Sequence, residues 1–143
     1  MSQNIVIIGA GNVPSHLAKE LSHVGHDIVQ IYSPSGTSAD ILASEINSSF
    51  THDLDDLDKS ATVYIIAVKD EAINKIAGKL RLPGKIVVHT SANVSMNALK
   101  PISDSVGVLY PLQTLSKNVE ADFRNVPICI EASNEATKTL VNN

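Results

Sequence analysis

The segment that most constrains this chain is Asn4-Ile5-Val6-Ile7-Ile8-Gly9-Ala10-Gly11. A short β-branched run without polar alternation reads as a strand covered on both faces, the mark of a parallel sheet. It stops at two glycines one residue apart. Beyond them Val13, Leu17, Leu21 and Val24 fall on one face of a helix, and Gly25 is placed to end it. Ile28-Val29-Gln30-Ile31-Tyr32 is the next strand. Strand, glycine turn, helix and strand in direct succession make a βαβ unit.

The alternation continues along the chain. Ser38 or Asp40 is placed to cap a helix carrying Ile41, Leu42 and Ile46, and Ser48 to Thr51 is a short strand. His52 to Ser60 is acidic and reads as a short surface helix anchored by Leu54 and Leu57. Val63 to Val68 is the strongest buried strand. Asp70 is placed to cap a helix with Ile73, Ile76, Ala77 and Leu80 on one face. Pro83-Gly84 is a turn, Ile86 to His89 a strand, Val94 to Leu99 a short helix, and Ser105 to Leu109 a strand. Ile128 to Ile130 is the last strand, and Asn134 opens a helix holding Ala136 and Leu140. Strands alternating with helices predict an α/β fold: a doubly wound, mostly parallel sheet in three αβα layers, Rossmann-like. One domain is expected over residues 1–132, with 133–143 the start of a helix leading elsewhere.

Composition removes several function classes. An apolar fraction of 43% can build a core, and a net charge of −4 argues against nucleic acid as a partner. Aromatic residues are 3% with no Trp, which disfavours base-stacking platforms. The single Cys excludes an internal disulfide framework, and Cys129 sits in an apolar run as a core residue. No apolar run approaches the roughly 18 residues that span a bilayer, and the first residues lack signal-peptide order. The expectation is a cytoplasmic domain without a membrane partner. No metal site is expected: His16, His23, His26 and His52 lack ligand spacing, and Asp53, Asp55, Asp56 and Asp58 lack the glycine and distal glutamate of a calcium loop.

The glycine turn carries the chemistry. Gly9-Ala10-Gly11-Asn12-Val13-Pro14 follows a buried strand and opens a helix, as a dinucleotide fingerprint requires. The first glycine makes the tight turn, the second admits a pyrophosphate, and the helix N-terminus offers N–H donors. Pro14 replaces the usual small third residue, and proline is tolerated in a first helical turn. Gly9, Ala10, Gly11, Asn12 and Val13 are thus candidate cofactor-binding residues. A tight turn without a ligand is the alternative.

At the end of the second strand, Tyr32-Ser33-Pro34-Ser35 offers no carboxylate for the ribose hydroxyls of NAD. Tyr32, Ser33 and Ser35 are candidate contacts to a 2′-phosphate, which favours NADP and leaves NAD open; no Arg is present to pair with it. Two later strand ends complete the set. Ala67 and Val68 are placed to line the cofactor with backbone, beside Lys69. His89 and Ser91 are the candidate catalytic residues, His89 as acid or base or as a structural histidine, and Ser91 to orient a substrate carbonyl.

Gly-Ala-Gly-Asn-Val, Val-Gln-Ile-Tyr-Ser, Ala-Val-Lys-Asp-Glu-Ala-Ile, His-Thr-Ser-Ala, Tyr-Pro-Leu-Gln-Thr-Leu and Pro-Ile-Cys-Ile-Glu-Ala occur here in order. That ordered set resembles a family of uncharacterised NADP-dependent oxidoreductases with a Rossmann-like N-terminal domain and a helical second domain. More distantly it resembles pyrroline-5-carboxylate reductases and β-hydroxyacid dehydrogenases. The resemblance implies a nicotinamide cofactor on Gly9 to Val13, Tyr32 to Ser35, Ala67-Val68 and His89 to Ser91. It implies a small-molecule substrate near His89-Thr90-Ser91 and Tyr110-Pro111-Leu112-Gln113. Pro34 stands where relatives carry an Arg, and Ala92 where Gly is usual. Relatives continue into a helical domain that dimerises and closes the site, so the expected function is the NAD(P)-binding domain of an oxidoreductase acting on a small carbonyl or imine. A non-catalytic nucleotide-binding module, or a truncated remnant, is the alternative.

Overall fold

The computed structural model describes residues 4–23, 25–34, 36–91, 93–111 and 128–132. In chain order the elements are β1 (Asn4–Ile8), α1 (Asn12–His23), β2 (Asp27–Tyr32), α2 (Gly36–Ile46), β3 (Ser49–Thr51), β4 (Val63–Ile66), α3 (Asp70–Lys79), β5 (Ile86–His89), β6 (Ser105–Pro111) and β7 (Ile128–Ala132). Single 3₁₀ turns lie at Leu54–Asp56 and Met96–Leu99. The strands form one sheet in the order β3-β2-β1-β4-β5-β6-β7. Six strands run parallel and β7 pairs antiparallel to β6. The chain winds outward from β1 through β2 to β3, then crosses back and winds the other way through β4, β5 and β6. The order reverses between β1 and β4, where such sheets open a crevice at their carboxyl ends.

Strict alternation divides the core. Ile5, Ile7, Val63, Ile65, Ile86 and Val88 face one layer, with Leu17 and Ala18 of α1 and Leu42 and Ala43 of α2. Val6, Ile8, Tyr64, Ile66 and Val87 face the other, with Ile73, Ile76 and Ala77 of α3. Successive side chains of a strand point to opposite faces, so an unbroken apolar run fills both layers at once. The doubly wound αβα reading of the sequence is what the chain adopts.

β2 departs from this period. Ile28 and Ile31 share the α1–α2 layer although they are an odd three positions apart. Ile5 pairs with Ile28 but Val6 with Gln30, so Val29 is an extra, bulged residue. The shift turns Gln30 inward, where it donates to the Asp56 carbonyl at 3.3 Å and accepts from the Asp58 N–H at 2.7 Å. Gln30 thereby fastens the acidic segment to the sheet.

Several helix ends differ from expectation. α2 begins at Gly36, so Ser38 and Asp40 lie inside it rather than capping it, and Asp40 accepts from the Ser44 hydroxyl. α3 is capped by the backbone of Lys69 without a side-chain bond; Asp70 is its first residue. The acidic segment forms only the turn at Leu54–Asp56, with Asp53 accepting from the Asp55 N–H at 2.9 Å. Its aspartates serve as local caps: Asp58 accepts from both the N–H and the hydroxyl of Ser60, and these bonds hold its carboxyl below the usual range. Leu57 is buried, so the segment is part of the core wall rather than a free surface helix. The helix expected over Val94 to Leu99 is shortened to the turn capped by Ser95. The expected boundary after residue 132 and the helix from Asn134 lie outside the described residues, as does Val24.

The three central strands are tied together at the glycine turn. Gly9 N–H donates to the Tyr32 carbonyl at 2.7 Å and Ala67 N–H donates to the Ile8 carbonyl at 2.8 Å. Gly9 has φ +129°, and a Cβ there would collide with the carbonyl oxygen of Ala67. Both conformation and contact demand glycine. Gly9→Ala is expected to cost about 2–4 kcal/mol of stability, read as a lower urea midpoint.

Candidate functional site

A groove of about 860 Å³ lies over the carboxyl ends of β1, β2, β4 and β5. That is the size of a small-molecule or cofactor site. Its floor is the turn itself: Gly9, Ala10 and Gly11, with Pro14 beside them. Pro14 is buried in the first turn of α1, and Ser15 closes that turn through its N–H and hydroxyl, both bonded to the Gly11 carbonyl at 3.1 and 2.6 Å. Gly11 has nothing within 4 Å of where a Cβ would stand. Asn12 and Val13 begin α1 at the same point.

One end of the groove is the β2 edge. Tyr32, Ser33 and Pro34 line it, and Ser33 N–H donates to the Thr51 carbonyl at 3.2 Å. Tyr32 and Ile76 of α3 belong to one apolar cluster, Leu54 packs against that cluster, and all three line the groove. Burial, and next the charge of Asp53, raise the Tyr32 phenol above its ordinary value. Ser35 lies outside the described residues.

The other end is built from β4 and β5. Ala67, Val68, Lys69 and Asp70 line it from β4, Thr90 and Ser91 from β5. Ser91 donates its hydroxyl to Asp70 Oδ1 at 2.5 Å and accepts from the Asn93 N–H at 3.2 Å. Asp70, expected to cap α3, makes no side-chain cap bond; its carboxylate spans two strand ends and holds Ser91. His89 is fully buried and does not line the groove. Its Nδ1 accepts from the Ser91 N–H at 3.0 Å, and its Nε2 lies 3.2 Å from the Ser95 carbonyl. That pair of partners selects the neutral tautomer protonated at Nε2. Ser91 is thus held from below by His89 and from the side by Asp70.

The structure therefore gathers Gly9, Ala10, Gly11, Tyr32, Ser33, Ala67, Val68, Lys69 and Ser91 around one groove, and sets His89 behind it. Leu112 and Gln113 lie outside the described residues. Sequence reasoning missed a whole wall. Ala72, Lys75, Ile76 and Lys79 of α3 line the groove at i, i+3, i+4 and i+7, a single helical stripe. That stripe was legible in the sequence, but only the tertiary fold turns it toward the crevice. Among the described residues no group of three or more His, Cys, Asp or Glu is placed to hold a metal ion. No helix among them is long and apolar enough to cross a membrane.

Because the Tyr32 phenol titrates above its unfolded value, its contribution to stability is complete below about pH 10 and is lost as pH rises through the raised value. An alkaline titration of tyrosinate absorbance should show a component above that of free tyrosine, and Tyr32→Phe should remove part of it.

Residues 4–93 match the family model described as NADP oxidoreductase, coenzyme F420-dependent. A crystal structure of a candidate NADP oxidoreductase from Bacteroides fragilis is 37% identical, with a TM-score of 0.90 over 98% of this chain and 55% of that one. A pyrroline-5-carboxylate reductase from Streptococcus pyogenes superposes with a TM-score of 0.77 at 17% identity, covering 98% of this chain and 54% of its own. The prephenate dehydrogenase of A. aeolicus, solved with hydroxyphenyl propionate and NAD+, gives 0.82 at 14% identity, over 99% of this chain and 56% of its own. These last two likenesses establish the fold alone. No curated protein matches the sequence. The chain spans about half the length of the solved proteins it matches.

Proposed function

Because the chain belongs to the NADP oxidoreductase, coenzyme F420-dependent family, we propose that its groove holds a nicotinamide dinucleotide, with NADP preferred to NAD. In that reading the domain serves hydride transfer to or from a small carbonyl or imine. The observation that carries it is Gly11. It stands on the groove floor at the start of α1 with open space where a side chain would be, so a pyrophosphate can approach backbone N–H donors. The bound nicotinamide would supply the hydride chemistry.

The chain's own residues bind, orient and polarise. Gly9 to Val13 receive the pyrophosphate. Tyr32 and Ser33 flank the adenosine end, with Ser35 two residues further along the sequence. The backbone of Ala67 and Val68 and the stem of Lys69 border the nicotinamide end. Ser91 is the polarising group: its hydroxyl faces the groove and can swing from Asp70 to a substrate oxygen or nitrogen. His89 positions Ser91 through its backbone N–H rather than acting on substrate.

A second reading is binding without turnover. It is favoured by the chain spanning 55% of its Bacteroides fragilis relative, so that substrate groups can reside in the other half. Dimerisation through a helical half and a cytoplasmic setting belong to the same proposal, the first from the family resemblance and the second from the lack of a membrane-length apolar run or signal-peptide order in the sequence.

Gly11→Ala tests the cofactor reading. It should leave stability within about 0.5 kcal/mol of the wild type, yet weaken NADPH binding at least about tenfold by calorimetry. Failure of the wild-type chain to bind either NADPH or NADH would sink the proposal. In any preparation of the protein that turns over substrate, Ser91→Ala should lower kcat by about 10²-fold while cofactor affinity holds. Binding of NADPH with no turnover of any carbonyl or imine by the protein favours the second reading.

A further inference from the structure

Among the described residues the β2 end offers a 2′-phosphate no positive charge. Tyr32, Ser33 and Pro34 offer a phenol, a buried hydroxyl and a ring, and no cation. A phosphate monoester is close to a dianion and binds strongly only where positive charge meets it. α3 lines the same groove. Ile76 of that helix belongs to the same apolar cluster as Tyr32, Leu54 packs against that cluster, and all three line the groove, so α3 and the β2 end are two walls of one groove. Flanking Ile76 on the groove stripe are Lys75 and Lys79, one helical turn apart.

Both lysines are exposed. Among the described residues the recorded ion pair is Lys19 with Glu45, and none joins Lys75 or Lys79 to a carboxylate. Glu71 stands one turn before Lys75, in the orientation that favours pairing, yet the two do not meet within ion-pair distance. Two like charges at i, i+4 repel one another and destabilise their helix slightly. A stripe that keeps them, unpaired and facing a groove, gains when an anion sits between them. The carboxylates that line the groove, Asp70 and Glu71, belong to the first turn of α3, and Asp70 is bonded to Ser91 at the opposite end. Asp53, the acidic neighbour of Tyr32, is engaged by the Asp55 N–H and does not line the groove.

We infer that Lys75 and Lys79 of α3 are the specificity-determining residues that recognise a 2′-phosphate on the adenosine half of the cofactor, taking the place of a cation at the β2 end. The inference rests on the reading that the groove holds a nicotinamide dinucleotide. It assigns the choice of NADP over NAD to a helix rather than to the loop after β2. Lysine acts here as a point charge on a flexible stem, so recognition is electrostatic and salt-sensitive rather than bidentate. Tyr32, Leu54 and Ile76 form the apolar shelf on which the adenosine rests between the turn and the lysines.

The test uses two adenosine probes that differ only in the phosphate in question: 2′,5′-ADP and 5′-AMP. Calorimetric titration of the wild-type chain should show the bisphosphate bound about tenfold or more tightly, with that advantage shrinking as salt is raised. The double variant K75Q/K79Q should bind both probes alike, at the affinity the wild type shows for 5′-AMP. Circular dichroism and the unfolding midpoint should match the wild type, since both side chains are exposed. Lys100→Gln, an exposed lysine outside the groove, should keep the full preference. A wild type that binds 5′-AMP with no bisphosphate advantage overturns this inference and leaves the cofactor reading standing. So does a double variant that keeps the preference, or an equal loss in Lys100→Gln. Binding of neither probe, nor of NADPH or NADH, overturns both.

Discussion

The carbonyl of Ala67 lies so close to Gly9 that no side chain fits there, and the remainder of the site depends on that contact. A side chain at position 9 would occupy the place of that carbonyl. With glycine there, β1 can end between β2 and β4 while its successor still bonds to Tyr32. The helix that follows then starts directly over the sheet edge, with its N-terminus facing the groove. Moving β1 away from β4 to fit a methyl group would open the switch point and displace Ala67, which is itself groove wall. The same contact therefore sets both the packing of the central strands and the shape of the floor.

From that fixed floor the two ends of the groove acquire different character. Toward β4 and β5 the wall is polar and tightly bonded. Asp70 and His89 both hold Ser91, one through its hydroxyl and the other through its N–H, which restricts a short side chain to one place. A hydroxyl so fixed costs little further ordering when it turns to a substrate. Tyr32, Leu54 and Ile76 give the groove apolar lining as well. Apolar walls beside a few placed polar groups are the usual makeup of a cofactor site.

The elements were legible because their signals are local. The β-branched runs at Ile5–Ile8, Val63–Ile66 and Ile86–Val88 are buried on both faces, and such runs need no partner to be recognised. Helix ends were less legible. Asp70 has the right chemistry to cap α3, but a carboxylate on a first turn has two possible clients, the free N–H groups and anything across the crevice. Ser91 lies twenty-one residues away and is brought alongside only by the β4-α3-β5 crossover. The bulge at Val29 was equally hidden. Ile28, Ile31 and Tyr32 look like one continuous apolar strand, and only pairing with β1 shows where the register slips.

By itself the sequence determined the succession of strands and helices, the glycine that the first turn requires, and the presence of a dinucleotide-type turn at the head of α1. Each follows from residues adjacent in the chain: β-branching, helical periodicity and the conformational freedom of glycine. The tertiary structure alone decided which side chains share the groove. It withdrew His89 into the core, joined Ser91 to Asp70, and turned the Ala72–Lys79 stripe of α3 toward the groove. The reason is geometric. A parallel sheet returns each strand to the same edge only after a long crossover, so the residues that meet at that edge are far apart in sequence and carry no local signal of one another.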